Sequence, residues 1–240
     1  MTFDREAFSD FLVHEGVIGF FNEPLTLKTN KQTHWYVSGR ALAQHAHRLS
    51  KTAEFVFAFI NDEPSLKKLF ALDTKPTHGI AFLGVPEGAT LLGNEIQRTA
   101  IAEGMIEDKL YQIRVKPKEH GAPISRHWVT DQIPERVIIV EDTSTTGSSS
   151  LALCERLRAL DIEVVANITL INRLQLDASG KSVAENMQAH DLPCHSLTDA
   201  SLVLPKALAR LDDARREHIR ATIMEEYKAE YGDRPLPFIL

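Results

Sequence analysis

Apolar positions change their period along the chain, and the change divides it. Residues 4–15 predict a short helix stopped by Gly16. Val17 to Phe21 is an apolar run. Leu25-Thr26-Leu27-Lys28 and Thr33-His34-Trp35-Tyr36-Val37, separated by a polar Thr29-Asn30-Lys31-Gln32, then predict a hairpin. A long helix is expected from about Arg40 to Ile60. Pro64 opens another, since proline suits the first helical turn. From about residue 78 the order becomes strand, glycine-containing turn, helix, repeated. Gly79 to Gly84 reads as a buried strand, and Glu87-Gly88-Ala89 leads into a helix ending near Gly104. Leu110 to Val115 is expected as a strand and Pro117 to Gln132 as a long, poorly packed polar loop. Arg136 to Val140 is the strongest strand, followed by a helix over Ser148–Leu160 and a strand over Glu163–Leu170. Continuous Val/Ile runs alternating with helices predict an α/β fold whose parallel sheet is covered on both faces. The tail from about Leu208 to Tyr231 is helical. Its Ile219, Ile223, Tyr227 and Tyr231 fall four apart in one apolar stripe, expected to pack on the parent domain or on a partner subunit.

Composition narrows the function classes. With 240 residues, 43% hydrophobic and 25% charged, the chain can bury a core without disulfides or metals, as one large domain or one domain with an appendage. Lys plus Arg number 27 against 33 Asp plus Glu, a net charge of −6, so no basic surplus serves nucleic acid. A local anion site stays compatible with that balance. The two cysteines, Cys154 and Cys194, build neither a disulfide framework nor a zinc site, and read as reduced cytosolic thiols. Met1 to Glu6 carries acids and no long apolar stretch, so no signal peptide is expected. Runs such as Phe55 to Ile60 are far shorter than the ~20 residues of a membrane helix.

The chemistry concentrates in Val137-Ile138-Ile139-Val140-Glu141-Asp142-Thr143-Ser144-Thr145-Thr146-Gly147-Ser148-Ser149-Ser150. A buried strand delivers two adjacent acids at its carboxyl end, where open α/β sheets bind ligands. Small hydroxyl residues and a glycine follow, then a helix begins. Backbone N–H groups, hydroxyls and the positive end of the helix dipole all favour phosphate. Two carboxylates beside such a cradle suit the diol of a ribose, or a metal ion shared with substrate oxygens. A Ser/Thr loop alone is usually a plain helix cap; the whole string describes a sugar-phosphate site. It resembles the phosphoribosyl-pyrophosphate (PRPP) motif of type I phosphoribosyltransferases.

Further segments resemble the orotate phosphoribosyltransferase family, in the family's order, over about residues 16 to 205. Leu25 to Tyr36 is similar to its substrate hairpin, F-T-L-K-S-G-x-x-S-x-x-Y/F. Arg114-Val115-Lys116-Pro117-Lys118-Glu119-His120-Gly121 is similar to its mobile catalytic loop, R-K-x-x-K-D/E-H-G. Leu170-Ile171-Asn172-Arg173 lies where the family has L-x-D-R, and Gly84 to Ala89 resembles its pyrophosphate loop, including Glu87 and Gly88. The resemblance implies a type I phosphoribosyltransferase domain over residues 1–207, with a hood hairpin at about 17–40 and a core at about 41–172. Residues 208–240 would be an added helical extension.

It further implies transfer of phosphoribose from PRPP to orotate, giving orotidine 5′-monophosphate and pyrophosphate, in a cytoplasmic homodimer. Mg²⁺ would be bound mainly through PRPP. Lys28 would contact the substrates and Tyr36 flank the orotate ring. Glu141 and Asp142 would hold the ribose hydroxyls, and Thr143, Ser144, Thr145, Thr146, Gly147, Ser148 and Ser149 would surround the 5′-phosphate. Thr145 would also approach orotate, and Arg173 would pair with its carboxylate, a task suited to a planar fork of donors. Arg114, Lys118 and His120 would come from the adjacent subunit to cover the pyrophosphate, with Lys118, His120 and Asp142 as the catalytic set. The chain departs from the family at Val115 and Glu87, where lysines are common. Asn172 replaces an aspartate, and Ala122 to Trp128 replaces a glycine-rich stretch; Arg126 is a candidate substitute cation. These departures keep two alternatives open: a phosphoribosyltransferase for another base, and a PRPP-binding regulator without turnover.

Overall fold

The computed structural model describes residues 2–27, 31–70 and 79–240. Asp4 caps the first helix, α1 (Arg5–His14), by accepting from the N–H groups of Glu6 and Ala7. Strands β1 (Ile18–Thr26) and β2 (Gln32–Val37) form the antiparallel hairpin, with a register break between Phe20 and Leu25. The long helix expected over 40–60 is two helices, α2 (Arg40–Ala43) and α3 (Ala46–Asp62), because His45 between them is extended. The Ala41 carbonyl at this break accepts from Arg48 Nη1 at 3.2 Å, which satisfies a helix-end acceptor. Pro64 opens α4 (Pro64–Phe70).

The core then alternates: β3 (Ile80–Gly84), α5 (Thr90–Ala102), α6 (Pro123–His127), β4 (Arg136–Ser144), α7 (Ser148–Arg158), β5 (Glu163–Asn172), α8 (Val183–Ala189), β6 (Cys194–Asp199), α9 (Ala200–Leu208) and α10 (Asp213–Tyr231). Among the described residues the four core strands form one parallel sheet in the order β3-β4-β5-β6. One face, with Phe82, Ile138, Val140 and Ile168, packs against α1, α3, α5, α9 and α10; the other, with Leu83, Val137, Ile139 and Val164, packs against α7 and α8.

Two expectations change here. Leu110 to Val115 does not join the sheet; Ile113 makes a single bridge to Trp128. Tyr111, Ile113 and Trp128 are all buried on the α7 face, so the alternating pattern records packing rather than strand pairing. The polar loop after Pro117 is exposed through Pro123 and again at Asp131 and Gln132, but not throughout. It then turns through α6 and is anchored by Trp128, which is 1% exposed.

The tail packs on its own chain. Ile219, Ile223 and Tyr227 of α10 enter the main core, each such burial stabilising by roughly 1.5–3 kcal/mol. Capped by Asp212 through the Arg215 N–H, α10 packs against β2 and α9.

Candidate active site

Strand β4 does not stop at Val140 but runs through Ser144, pairing Thr143 with Ile171 and Ser144 with Asn172. The acids therefore sit inside a pleated strand and point to opposite faces. Glu141 turns toward α7, is 5% exposed, and accepts from Ser150 Oγ at 2.8 Å. Asp142 turns toward Gly39 and Gly88 and accepts from the Thr143 N–H at 3.0 Å. Strand and helix leave only Thr145 to Gly147 as loop. Gly147 is left-handed, at φ 80°, and a Cβ there would meet Met187 Cε at 2.7 Å, so this turn requires glycine. Behind the loop, Asn186 of α8 donates to the Thr146 carbonyl at 3.2 Å and to Asp177 Oδ2 at 2.9 Å. The N-cap of α7 is Gly147, which has no side chain to cap it. Its first-turn N–H groups thus lie beside the loop with no intrahelical partner, a ready anion seat.

These elements open onto a cleft of about 530 Å³. Glu141, Asp142, Thr143, Thr145, Gly147, Ser148 and Ser149 line one wall. Glu87 and Gly88, after a cis Pro86–Glu87 peptide, line another. Tyr36 and Arg173 face them from the hood side. Ser144 and Thr146 fall outside the lining: Ser144 alternates into the interior at 1% exposure, and Thr146 Oγ1 donates to Ser148 Oγ at 3.3 Å.

Arg173 is 1% exposed, an uncommon setting for a guanidinium. Its Cζ lies 4.0 Å over the Trp35 ring, and Nη2 donates to Thr33 Oγ1 at 3.0 Å and to the Trp35 carbonyl at 3.2 Å. Burial pushes its pKa down, while Tyr227, Glu226 and Glu230 oppose that shift. Arg173 Nε and Thr143 Oγ1 are buried without a hydrogen-bond partner among the described residues, and both residues line the cleft. Buried polar groups seldom stay unpaired. The two orphans thus point to a polar ligand in the cleft they line.

The loop residues stand apart. Arg114 Nε donates to the Ser125 carbonyl at 3.0 Å, and Lys118 and His120 are exposed outside the cleft of their own chain. Val115 lines the cleft, and Arg126 Nε bonds the Gly121 carbonyl at 3.1 Å instead of entering it. Lys28 lies outside the described residues. Arg40, absent from the candidates read from the sequence, lines the cleft next to Gly39. Its signal was the Ser38-Gly39-Arg40 turn immediately after the hairpin.

No protein-family model matches the chain. Orotate phosphoribosyltransferase of Bradyrhizobium sp. strain BTAi1 is 25% identical over 180 residues, 73% of this chain and 85% of that protein. The Corynebacterium glutamicum enzyme of the same name is 35% identical over 115 residues, 48% of this chain and 59% of its own length. By sequence, the chain is similar to orotate phosphoribosyltransferases. The fold agrees with theirs. The Francisella tularensis orotate phosphoribosyltransferase superposes with a TM-score of 0.59 at 16% identity, covering 95% of this chain and 100% of that one. The Mycobacterium tuberculosis structure gives 0.56 at 19% identity, over 83% and 98%. An adenine phosphoribosyltransferase from Leishmania donovani gives 0.53 at 16% identity, over 86% of each chain. The fold is therefore that of type I phosphoribosyltransferases, shared with an enzyme named for a purine. The orotate phosphoribosyltransferase resemblance itself comes from the sequence relatives.

Proposed function

We propose that this chain transfers the phosphoribosyl group of PRPP to orotate, giving orotidine 5′-monophosphate and pyrophosphate in pyrimidine nucleotide synthesis. One observation carries the reading: a phosphate-type helix terminus beside Asp142 shares a cleft with a buried Arg173 whose Nε has no hydrogen-bond partner among the described residues. The first suits a ribose phosphate, the second a planar carboxylate. Names of the sequence relatives support the same substrate pair.

In this reading Thr143, Thr145, Gly147, Ser148 and Ser149 hold the 5′-phosphate and Asp142 the ribose hydroxyls. Glu141 ties β4 to α7 through Ser150, which fixes the cradle under the phosphate. The bond from the anomeric carbon to pyrophosphate loosens before the base nitrogen attacks, so positive charge builds on the ribose. A carboxylate held in place beforehand stabilises that charge. Excluding water prevents hydrolysis of PRPP. Glu141 and Asp142 offer hard oxygen donors at the cleft, yet no group of three or more metal-ligating side chains gathers among the described residues. That donor set fits a Mg²⁺ held mainly by PRPP oxygens, with Asp142 contributing from the protein. Such an ion would neutralise the leaving pyrophosphate.

Lys118 and His120, exposed outside their own cleft, fit a loop that a homodimer supplies to the neighbouring site. Cytoplasmic placement agrees with the free thiols of Cys154 and Cys194. No helix among the described residues is long and apolar enough to cross a membrane. Glu87 and Val115 in the cleft favour a second reading, a PRPP-binding regulator, because they remove positive charge from around the leaving group. Incubation with PRPP, Mg²⁺ and a panel of bases separates the readings. Orotate should be consumed only when PRPP and Mg²⁺ are both present. Turnover of adenine or guanine alone would reassign the base; PRPP binding without turnover would mark the regulator.

A further inference from the structure

Helix α10 reaches the cleft through a hydroxyl. Thr33 Oγ1 accepts from Arg173 Nη2 at 3.0 Å and donates to Glu226 Oε2 at 2.9 Å. The other Glu226 oxygen accepts from the His34 N–H at 2.8 Å and lies 2.7 Å from His34 Nδ1. The next residue, Tyr227, donates its hydroxyl to the Arg173 carbonyl. Two adjacent residues of α10 thus hold the arginine at both ends, its backbone directly and its guanidinium through Thr33. Thr33, Arg173 and Tyr227 are all buried.

The arrangement has a chemical consequence. A threonine hydroxyl carries one proton. Two acceptors are in reach, the Trp35 carbonyl at 3.2 Å and Glu226 Oε2 at 2.9 Å, and the nearer, charged oxygen takes the proton. Thr33 then presents its lone pairs to Arg173 and is polarised by the carboxylate behind it. No carboxylate forms an ion pair with Arg173 among the described residues. Negative charge is therefore supplied one residue away, while Nε is left for a ligand. A direct carboxylate partner would compete with the substrate; a relayed one orients the fork without occupying it.

We infer that Glu226 is a positioning residue that aims Arg173 at the substrate carboxylate through Thr33. The helix after residue 208 is thereby part of base recognition. This rests on the reading of Arg173 as the orotate-binding arginine. Steady-state kinetics on the full-length protein tests it, with KM for orotate and for PRPP measured separately. Glu226→Ala should raise the orotate KM about tenfold, the size of one hydrogen bond to a charged group. The PRPP KM should stay within about twofold. Glu226→Gln, which keeps an acceptor oxygen, should recover part of the loss. In an Arg173→Ala background, Glu226→Ala should add less than about twofold, because the group it positions is gone. Both KM values rising together, or an undiminished effect in the Arg173→Ala background, would overturn the inference. Should Glu226→Ala fail to fold, Thr33→Val cuts the same relay and is read by the same criteria. An orotate KM that responds to Arg173→Ala but not to Glu226→Ala or Thr33→Val defeats the inference alone. One that ignores Arg173→Ala defeats the base reading as well.

Discussion

Gly39 makes room for Asp142: a Cβ on Gly39 would lie 2.1 Å from Asp142 Oδ2 and 2.5 Å from Asp142 Cβ. Gly39 itself has φ −58° and ψ −24°, a conformation open to any residue. Glycine is required there by the neighbouring carboxylate, not by its own backbone. Gly39→Ala should therefore leave α2 intact and displace Asp142. Misplacement of a reacting group by about 1 Å costs on the order of 10²-fold, so kcat/KM for PRPP should fall by roughly that factor while the thermal midpoint moves little. Full activity in the alanine variant would show that the Asp142 carboxylate has no positional demand.

Arg173 should govern the base and not the sugar. Removing one partner of a buried charge pair costs about 2–5 kcal/mol. Arg173→Ala should lower kcat/KM for orotate accordingly, with PRPP affinity by calorimetry nearly unchanged. Equal loss of both ligands would instead assign Arg173 to packing against Trp35 and β2.

The sequence made the cradle legible because its signals are local. Four β-branched residues, two acids and a hydroxyl-glycine loop are contiguous over Val137–Ser150, and they became strand, turn and helix in that order. Where the strand ends was less legible, since Thr143 and Ser144 read as loop residues by composition but pair with β5. The Leu110–Val115 expectation failed for a related reason. Alternation reports which side chains are buried, and Tyr111 and Ile113 are buried without a strand neighbour. The stripe on α10 was visible as four residues spaced by four. Its polar partner Glu226 was not, because the contacts to Thr33 and His34 span more than 190 residues of sequence. Arg40 escaped for the same reason: only the fold brings Gly39 against Asp142.

Alkaline stability should report on Tyr227. Full burial raises its pKa well above the ordinary value of about 10. Below pH ~10 the phenol is protonated in both the folded and unfolded states. Above that, the unfolded chain loses the proton first and binds fewer protons than the folded one. Stability therefore falls as pH rises, by up to ~1.4 kcal/mol per pH unit from this group. Tyr227→Phe should flatten that slope above pH 10. At neutral pH the same change leaves the Arg173 carbonyl without the Tyr227 hydroxyl, at a cost of about 1–3 kcal/mol. Urea melts of both proteins at pH 8 and pH 10.5 check both effects. Parallel pH slopes would rule out Tyr227 as the source.

Subunit mixing tests where the loop acts. Lys118 and His120 are exposed, outside the cleft that holds Asp142 in the same chain. In a homodimer whose loops cross the interface, a site combines Asp142 of one subunit with Lys118 of the other. Lys118→Ala should lower turnover more than PRPP affinity, because its charge matters most as pyrophosphate departs. Asp142→Ala should reduce both. Each variant alone is then nearly inactive, since every site in it carries the same lesion. Mixing the two creates dimers in which one site joins an intact Asp142 to an intact Lys118 and the other site carries both lesions. With random exchange of equal amounts, half the dimers are mixed and each has one sound site, so activity should return to about a quarter of the wild-type level. Native mass spectrometry of the mixture verifies exchange. Mixed dimers without recovered activity would assign the loop to its own chain's cleft, and a chain that stays monomeric while fully active would remove the shared site altogether.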